Sequence, residues 1–259
     1  MLSGWLDLPL WAVVVTLIAF YGLTAALLHL ASFRWPTRHH VASLQGMATP
    51  FFTTANTLFA LMIAFLSAGV WETYRNAVQT VLQEREGVVA VLELANAVPS
   101  EADRVRDRAG RYVASVIGDE WNLRPIGHGH PNTDAALLAL LAAVASRQTA
   151  SATEPMVHAA LINAVQRISA ARSSRLALTH APTDSPRWLA VLLLALLTQV
   201  SVAVAHLDRA RGQIVALTLS TAAAIIALAL VAALERPFDG ANQVSPEPLQ
   251  QAIAAMQLP

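Results

Sequence analysis

The chain has 259 residues, 55% of them hydrophobic and only 13% charged, and its 17 basic and 17 acidic residues cancel. So apolar a composition excludes an ordinary soluble domain and points to a membrane protein, and the zero net charge argues against nucleic acid as a partner. Every basic residue is Arg, which excludes a P-loop or a Schiff-base lysine; the absence of Cys excludes a disulfide, a thiolate nucleophile or a Cys-ligated zinc.

Met1 to Asp7 carries no basic n-region, and the apolar run Leu8 to Ala31 is longer than a signal-peptide core with no small-x-small cleavage site after it, so it reads as a retained first span. Phe33 to His40 is an interfacial loop, in which Arg34, Trp35 and Arg38 suit the headgroup layer and Pro36 keeps the helix from continuing. The second span, Pro50 to Trp71, has no charged residue and is long enough for a hydrocarbon core of about 30 Å. Thr53, Thr57, Ala60, Ala64 and Ser67 recur on one face of it, with Asn56 beside them, while Phe52, Phe59, Ile63, Leu66 and Val70 lie away from that face. A stripe of small and hydroxyl residues fits either a helix-packing seam or the wall of a water-lined pore.

No break follows Trp71. The span is expected to run on as a charged amphipathic helix with Tyr74, Val78, Val81, Val88, Leu92 and Ala95 at near-heptad spacing, interrupted by Arg85 and stopped at Pro99. Glu84, Glu86 and Glu93 on this stretch are either a solvated face, partners of Arg, or the lining of an ion vestibule with Glu72. Ser100 and Asp103 signal the start of the next helix, whose inward face is Val105, Ala109, Tyr112, Val113 and Val116, with Arg104, Arg106, Asp107 and Arg111 outside. It fades near Asp119-Glu120-Trp121-Asn122, where Glu120 suits an Arg partner and Trp121 a headgroup anchor. Pro125 to Pro131 reads as a loop, Ala135 to Ser146 as a buried helix capped by Asp134, and Glu154 to Leu178 as a further helix carrying Arg172 and Arg175, which suit ion pairs better than an anion site.

Trp188 to His206 and Gln213 to Leu234 are the third and fourth spans, joined by the charged turn Leu207 to Gly212. Glu235-Arg236-Pro237-Phe238-Asp239-Gly240 follows as a rigid elbow, then a short amphipathic helix from Leu249 to Met256. The fold class is therefore an all-α membrane protein: four transmembrane helices with a helical extramembrane domain between spans two and three. The segments are 1–71, 72–185, 186–235 and 236–259. The histidines of His128-Gly129-His130 and Arg38-His39-His40 lack a third ligand at fixed spacing and read as loop residues, and no hydrolase elbow, zincin or dinucleotide motif occurs. Neither a cofactor nor a metal site nor an enzymatic activity is expected.

Four groups of residues together resemble the bestrophin-like family of bacterial membrane proteins: Glu86 with Leu92 and Pro99; Tyr112 followed by Glu120-Trp121; Arg172 and Arg175 before Pro186 and Trp188; and Arg236-Pro237-Phe238-x-Gly240. The resemblance covers nearly the whole chain. It implies a pentameric ion channel in the bacterial inner membrane whose second span lines the pore, here Thr53, Asn56, Thr57, Ala60, Ala64 and Ser67, with the Arg236 to Gly240 turn as a structural element. The acidic calcium clasp beside the bestrophin turn has no counterpart, since only Glu235 and Asp239 flank it. The expected partners are the lipid bilayer, further copies of the chain and inorganic ions. A non-conducting scaffold or sensor, with the stripe as a packing seam, is the alternative.

The side of the membrane stays open. Arg34, Arg38, Arg209 and Arg211 in the short loops would put the helical domain outside the cytoplasm, while Arg75, Arg187 and Arg236 and the family likeness point the other way. Topology itself is testable, because the chain is free of Cys. Single cysteines at Ser3, His40, His130, Ala210 and Gln257 should label as two classes, with positions 40 and 210 opposite to the other three; any other partition contradicts four spans.

Overall fold

Each of the four apolar runs forms a helix in the structure, a computed structural model that describes residues 4–5, 8–33, 48–121, 129–179, 184–238 and 243–254, and the side chains from residue 53 onward in the second helix. The helices are α1 (Leu10–Phe33), α2 (Ala48–Ala95), α3 (Ala102–Ser115), α4 (Pro131–Val144), α5 (Arg147–Ser151), α6 (Pro155–Thr179), α7 (Ser185–Ala205), α8 (Ala210–Leu234) and α9 (Glu247–Ala254), with a π-helical turn, Val116–Trp121, extending α3. α1, α7, α8 and the part of α2 from Thr53 are long and apolar enough to cross a membrane. Among the described residues every regular element is a helix. The chain divides into two compact units, one of residues 1–74 and 182–242, the other of residues 75–181 and 243–259.

The first unit packs α1, α7, α8 and the start of α2 around Leu17, Tyr21, Leu66, Val70, Trp188, Val191 and Leu228. Phe59, Met62 and Ile63 of α2 lean on this core, which is the apolar side assigned to the second span from sequence. Apolar packing does not distinguish one helix neighbour from another in lipid, so buried polar side chains matter more here than in water. Two amides supply them. Gln199 of α7 donates to the Tyr21 carbonyl (3.0 Å) and to Thr221 Oγ1 of α8 (2.7 Å), while its Oε1 accepts from Thr24 of α1 (2.7 Å). Gln213 of α8 donates to the Ala203 carbonyl of α7 (2.7 Å) and to Ser32 of α1 (3.1 Å). Because a carbonyl only accepts, these bonds turn Gln213 Oε1 toward His29 Nδ1, 2.8 Å away, and make that nitrogen the donor. Each amide thus ties α1, α7 and α8 together, at about 0.6 kcal/mol per interhelical bond.

In the second unit the remainder of α2 meets α3 and α6, α4 packs on both of these, and α9 packs on α3. The inward residues of α2 are Ala77, Val81, Glu84, Val88, Val91 and Ala95, a heptad-like 4-3-4-3-4 spacing. Of the seam expected from sequence, Val81, Val88, Leu92 and Ala95 are buried, while Tyr74 and Val78 at its start are only half-buried; Glu84, beside the half-exposed Arg85, completes it. Gly87 permits a close approach of α2 to α6, since a Cβ there would meet Ile168 Cγ1 at 2.7 Å and its backbone nitrogen at 3.2 Å. The inward face of α3 is as expected, with Val105, Ala109, Tyr112, Val113 and Val116 all buried.

Several local expectations are corrected. Glu101, with helical backbone angles and no side-chain cap bond, precedes α3 in place of a Ser100 cap; the turn is closed by Glu101 N–H to the Val98 carbonyl, and Asp103 is spent on Arg106. α4 is capped by His130, whose Nδ1 accepts from Asn132 N–H, with Pro131 in the first turn; Asp134 lies within the helix. α7 and α8 begin three residues earlier than expected, at Ser185 and Ala210, because Asp184 accepts from Arg187 N–H to cap α7 and the turn before α8 is shorter. Of the loops expected at Phe33 to His40 and Pro125 to Pro131, Phe33 ends α1, Gly129 and His130 are non-helical and Pro131 opens α4; the rest lies outside the described residues.

Candidate functional site

The second span carries the stripe singled out from sequence. In the isolated chain Thr53, Thr57, Ala60 and Ala64 are exposed and Asn56 and Ser67 are half-buried, whereas Leu66 and Val70 across the helix are buried in the unit's core. Among the described residues the polar face is thus the more exposed of the two. Thr57 donates to the Thr53 carbonyl (2.8 Å), the usual way a hydroxyl is satisfied on an apolar helix, which leaves its oxygen lone pairs outward. Leu58, Leu61 and Phe65 are also exposed beside the stripe, so exposure alone does not select it; what distinguishes the stripe is small size and hydroxyl chemistry.

Of the vestibule residues, Glu72 and Glu86 are exposed. Glu84 is not: it is fully buried in the second unit, and its carboxylate is consumed by that unit's own side chains. Arg175 of α6 donates from Nε to Glu84 Oε2 (2.8 Å) and from Nη2 to Oε1 (3.3 Å), and Tyr112 of α3 donates to Oε1 at 2.7 Å. A carboxylate with both oxygens engaged inside a domain cannot line an aqueous vestibule. Glu84 is corrected from a lining candidate to a structural ion-pair partner.

Glu120 joins the same cluster from the π-helical turn. Arg175 Nη2 donates to its Oε2 (2.8 Å), Arg172 Nε to its Oε1 (3.0 Å), and the backbone N–H of His130 to its Oε1 (3.1 Å). Arg172 Nη1 also pairs with Asp134 of α4 at 2.7 Å. Two features of the chain deliver these groups. The wider π turn sets Glu120 and Trp121 toward α6, and Gly129, with φ +68, brings the loop so near that a Cβ would meet Arg172 Nη2 at 2.7 Å. Trp121 is not a headgroup anchor: its ring lies 4.9 Å beneath the Arg175 guanidinium and its indole N–H donates to the Val244 carbonyl (3.2 Å). Arg172 and Arg175 are ion-pair residues, as the sequence favoured.

Burial alone would raise the Glu120 pKa, but Arg172 and Arg175 outweigh it and hold the carboxyl below its ordinary range. Burial likewise disfavours the charge on both arginines, and the surrounding carboxylates, Glu84 first for Arg175 and Glu120 first for Arg172, raise them regardless. Burial and then Glu84 push the Tyr112 phenol well above its usual value, so it remains a donor. The arrangement is a closed charge network that fixes α2, α3, α4 and α6; it presents no nucleophile paired with a base, and among the described residues no group of three or more metal-ligating side chains occurs. In the elbow after α8, Pro237 is buried and Phe238 half-buried, and Gly240 lies outside the described residues, as do His39, His40 and His128.

Sequence reasoning did not find Gln199, Gln213, or the joining of Glu84 to Arg175. The signal for the first two is an amide inside an otherwise apolar span, and for Glu84 a carboxylate on the apolar heptad seam.

Removing one partner from a buried pair strands the other's charge, so Arg175→Met should lower unfolding stability by about 3–5 kcal/mol, measured by denaturation in detergent. Because the Glu120 carboxyl titrates lower when folded, its contribution is present above the ordinary glutamate pKa of about 4.3 and is lost as pH falls through the depressed value. Glu120→Gln should therefore flatten the acid limb of stability against pH. A wild-type midpoint for Arg175→Met, or an unaltered acid limb in Glu120→Gln, contradicts the network.

The model of the bestrophin-like domain matches residues 18–249. Two solved variants of a bacterial bestrophin homologue from Klebsiella pneumoniae share the fold: one is 15% identical with a TM-score of 0.72, over 95% of this chain and 96% of that one. The other is 17% identical with a TM-score of 0.69, over 93% and 96%. No curated protein matches the sequence. With the family model covering nearly the whole chain and the helical order reproduced in those structures, the chain belongs to the bestrophin-like family.

Proposed function

We propose that this protein is a homo-oligomeric, pentameric ion channel of a bacterial inner membrane, with the second span lining the pore. The observation that carries the reading is the division of α2 in the first unit: Leu66 and Val70 are buried against α1, α7 and α8, and the small and hydroxyl residues are left outward. A ring of such faces gives hydroxyls and Asn56 toward one end and a narrow apolar neck at Ala60 and Ala64, the kind of constriction that gates by dewetting. Family membership supports channel function, and the fold is shared with bacterial bestrophin homologues.

With Glu84 withdrawn into its ion pair, the vestibule charges reduce to Glu72 and Glu86 against Arg75 and Arg85, so neither sign of ion is favoured by count. Selectivity in this reading is weak, and set by the neck rather than by a charged ring. The scaffold alternative makes the same stripe a close-packed seam, in which Ala60 and Ala64 allow backbones to approach.

Ala64→Asp separates the two. In the channel it should leave the purified oligomer assembled and, in planar bilayers, raise cation over anion permeability, since a carboxylate ring wets the neck and attracts cations. In a packing seam the same change strands carboxylates at a helix contact and dissociates the oligomer. Assembled protein that passes no current, as wild type and as Ala64→Asp alike, contradicts the proposal.

A further inference from the structure

The first unit holds a groove of ≈ 410 Å³ between α1 and α8 that the proposed pore does not use. It is lined by Ile18, Gly22 and His29 on α1 and by Leu217, Thr221 and Ile225 on α8, among others. The eleven-residue separation of Ile18 from His29 makes it about 17 Å long. The walls are almost wholly apolar. Thr221 Oγ1 is already bonded to Gln199 and His29 Nδ1 to Gln213, so the interior offers a ligand little beyond hydrocarbon contact. Gly22 opens the floor: a Cβ built there meets nothing within 4 Å, so the gap is space that larger side chains would fill.

The groove is not symmetric in charge. Gln213 bonds to Ser32 and His29, so the end of α1 meets the start of α8, and the groove runs from His29 and Ile214 to Ile18 and Ile225. Arg209 and Arg211 are exposed at the first of these ends, and Arg211 precedes Ile214 by three residues, on the same face of α8. Among the described residues no acidic side chain lines the groove; Asp208, in the preceding turn, leaves that turn with a net positive charge. Both walls belong to helices long and apolar enough to cross a membrane, where the medium that meets an open apolar groove is acyl chain.

The geometry points to a binding site for an anionic phospholipid, one acyl chain lying along the groove past Gly22 and the phosphate held by Arg209 and Arg211. Basic residues at the headgroup level attract anionic lipid, and the groove adds a length-matched apolar track that a free anion would not use. The site stands apart from the stripe on α2 and does not depend on whether that stripe lines a pore.

Native mass spectrometry of the purified full-length oligomer, titrated with phosphatidylglycerol or phosphatidylcholine, tests it. Wild type should retain phosphatidylglycerol at about tenfold lower concentration than phosphatidylcholine. Gly22→Leu, which fills the floor without meeting a neighbour at Cβ, should lose retention of both. The exposed double variant Arg209→Gln, Arg211→Gln, whose changes touch no core residue, should keep chain binding and equalise the two lipids. Equal retention of both lipids by wild type overturns the proposal, as does wild-type retention by Gly22→Leu. So does complete displacement of lipid by inorganic phosphate, which would leave an anion site only. Dissociation of the copies by Gly22→Leu without a change in lipid would assign the groove to a contact between subunits and overturn it likewise.

Discussion

The buried charge network of Glu84, Arg175, Glu120 and Arg172 is the constraint on which the helical unit rests. Glu84 comes from α2, Arg172 and Arg175 from α6, far along the chain, and Glu120 from a π-helical turn that exists nowhere else among the described residues. Taking such charges out of water costs several kcal/mol each, and the geometry offsets that cost only if every oxygen and guanidinium N–H finds a partner. Tyr112, Asp134, the His130 N–H and the Trp121 ring supply the remainder. The result is less a source of net stability than a register lock: α2 can present only Glu84, and no neighbouring residue, to α3 and α6.

The first unit solves the same problem with uncharged groups. Lipid gives no hydrophobic preference between helix faces, so Gln199 and Gln213, each spanning α1, α7 and α8, specify which faces meet. α2 joins that trio through apolar side chains, on the side of Leu66 and Val70. On its other side Thr57, Ala60 and Ala64 are exposed, which is the physical basis for reading that face as the surface directed at other copies or at water.

Much of this was legible in the sequence, because the signals were local. Charge-free runs gave away the spans, with both ends of α1 and the start of α2 found within two residues, and the 3.6-residue period gave the inward face of α3. The side of α2 that packs on its own unit was also right at Phe59, Ile63, Leu66 and Val70. Errors arose where a residue's role was set by a partner far along the chain. Glu84 and Arg85 are adjacent, and apolar spacing alone could not say which of them sits in the seam until Arg175, ninety-one residues away, is brought opposite. Asp134 has the chemistry of a cap, yet Arg172 takes it and His130 caps the helix instead. Gln199 and Gln213 look unremarkable in a hydropathy profile, since their importance lies in three-way bonding that no single-segment pattern encodes.

The central claim is that the Thr53, Thr57, Ala60, Ala64 and Ser67 face of the second span looks onto the axis of an assembly. An electron cryomicroscopy structure of the purified protein in lipid nanodiscs tests it most directly. The account predicts a closed ring in which this face of every copy borders one continuous axial passage, narrowest at Ala60 and Ala64. An assembly in which the face is sealed against another helix, or turned to lipid with no passage along the axis, would contradict it.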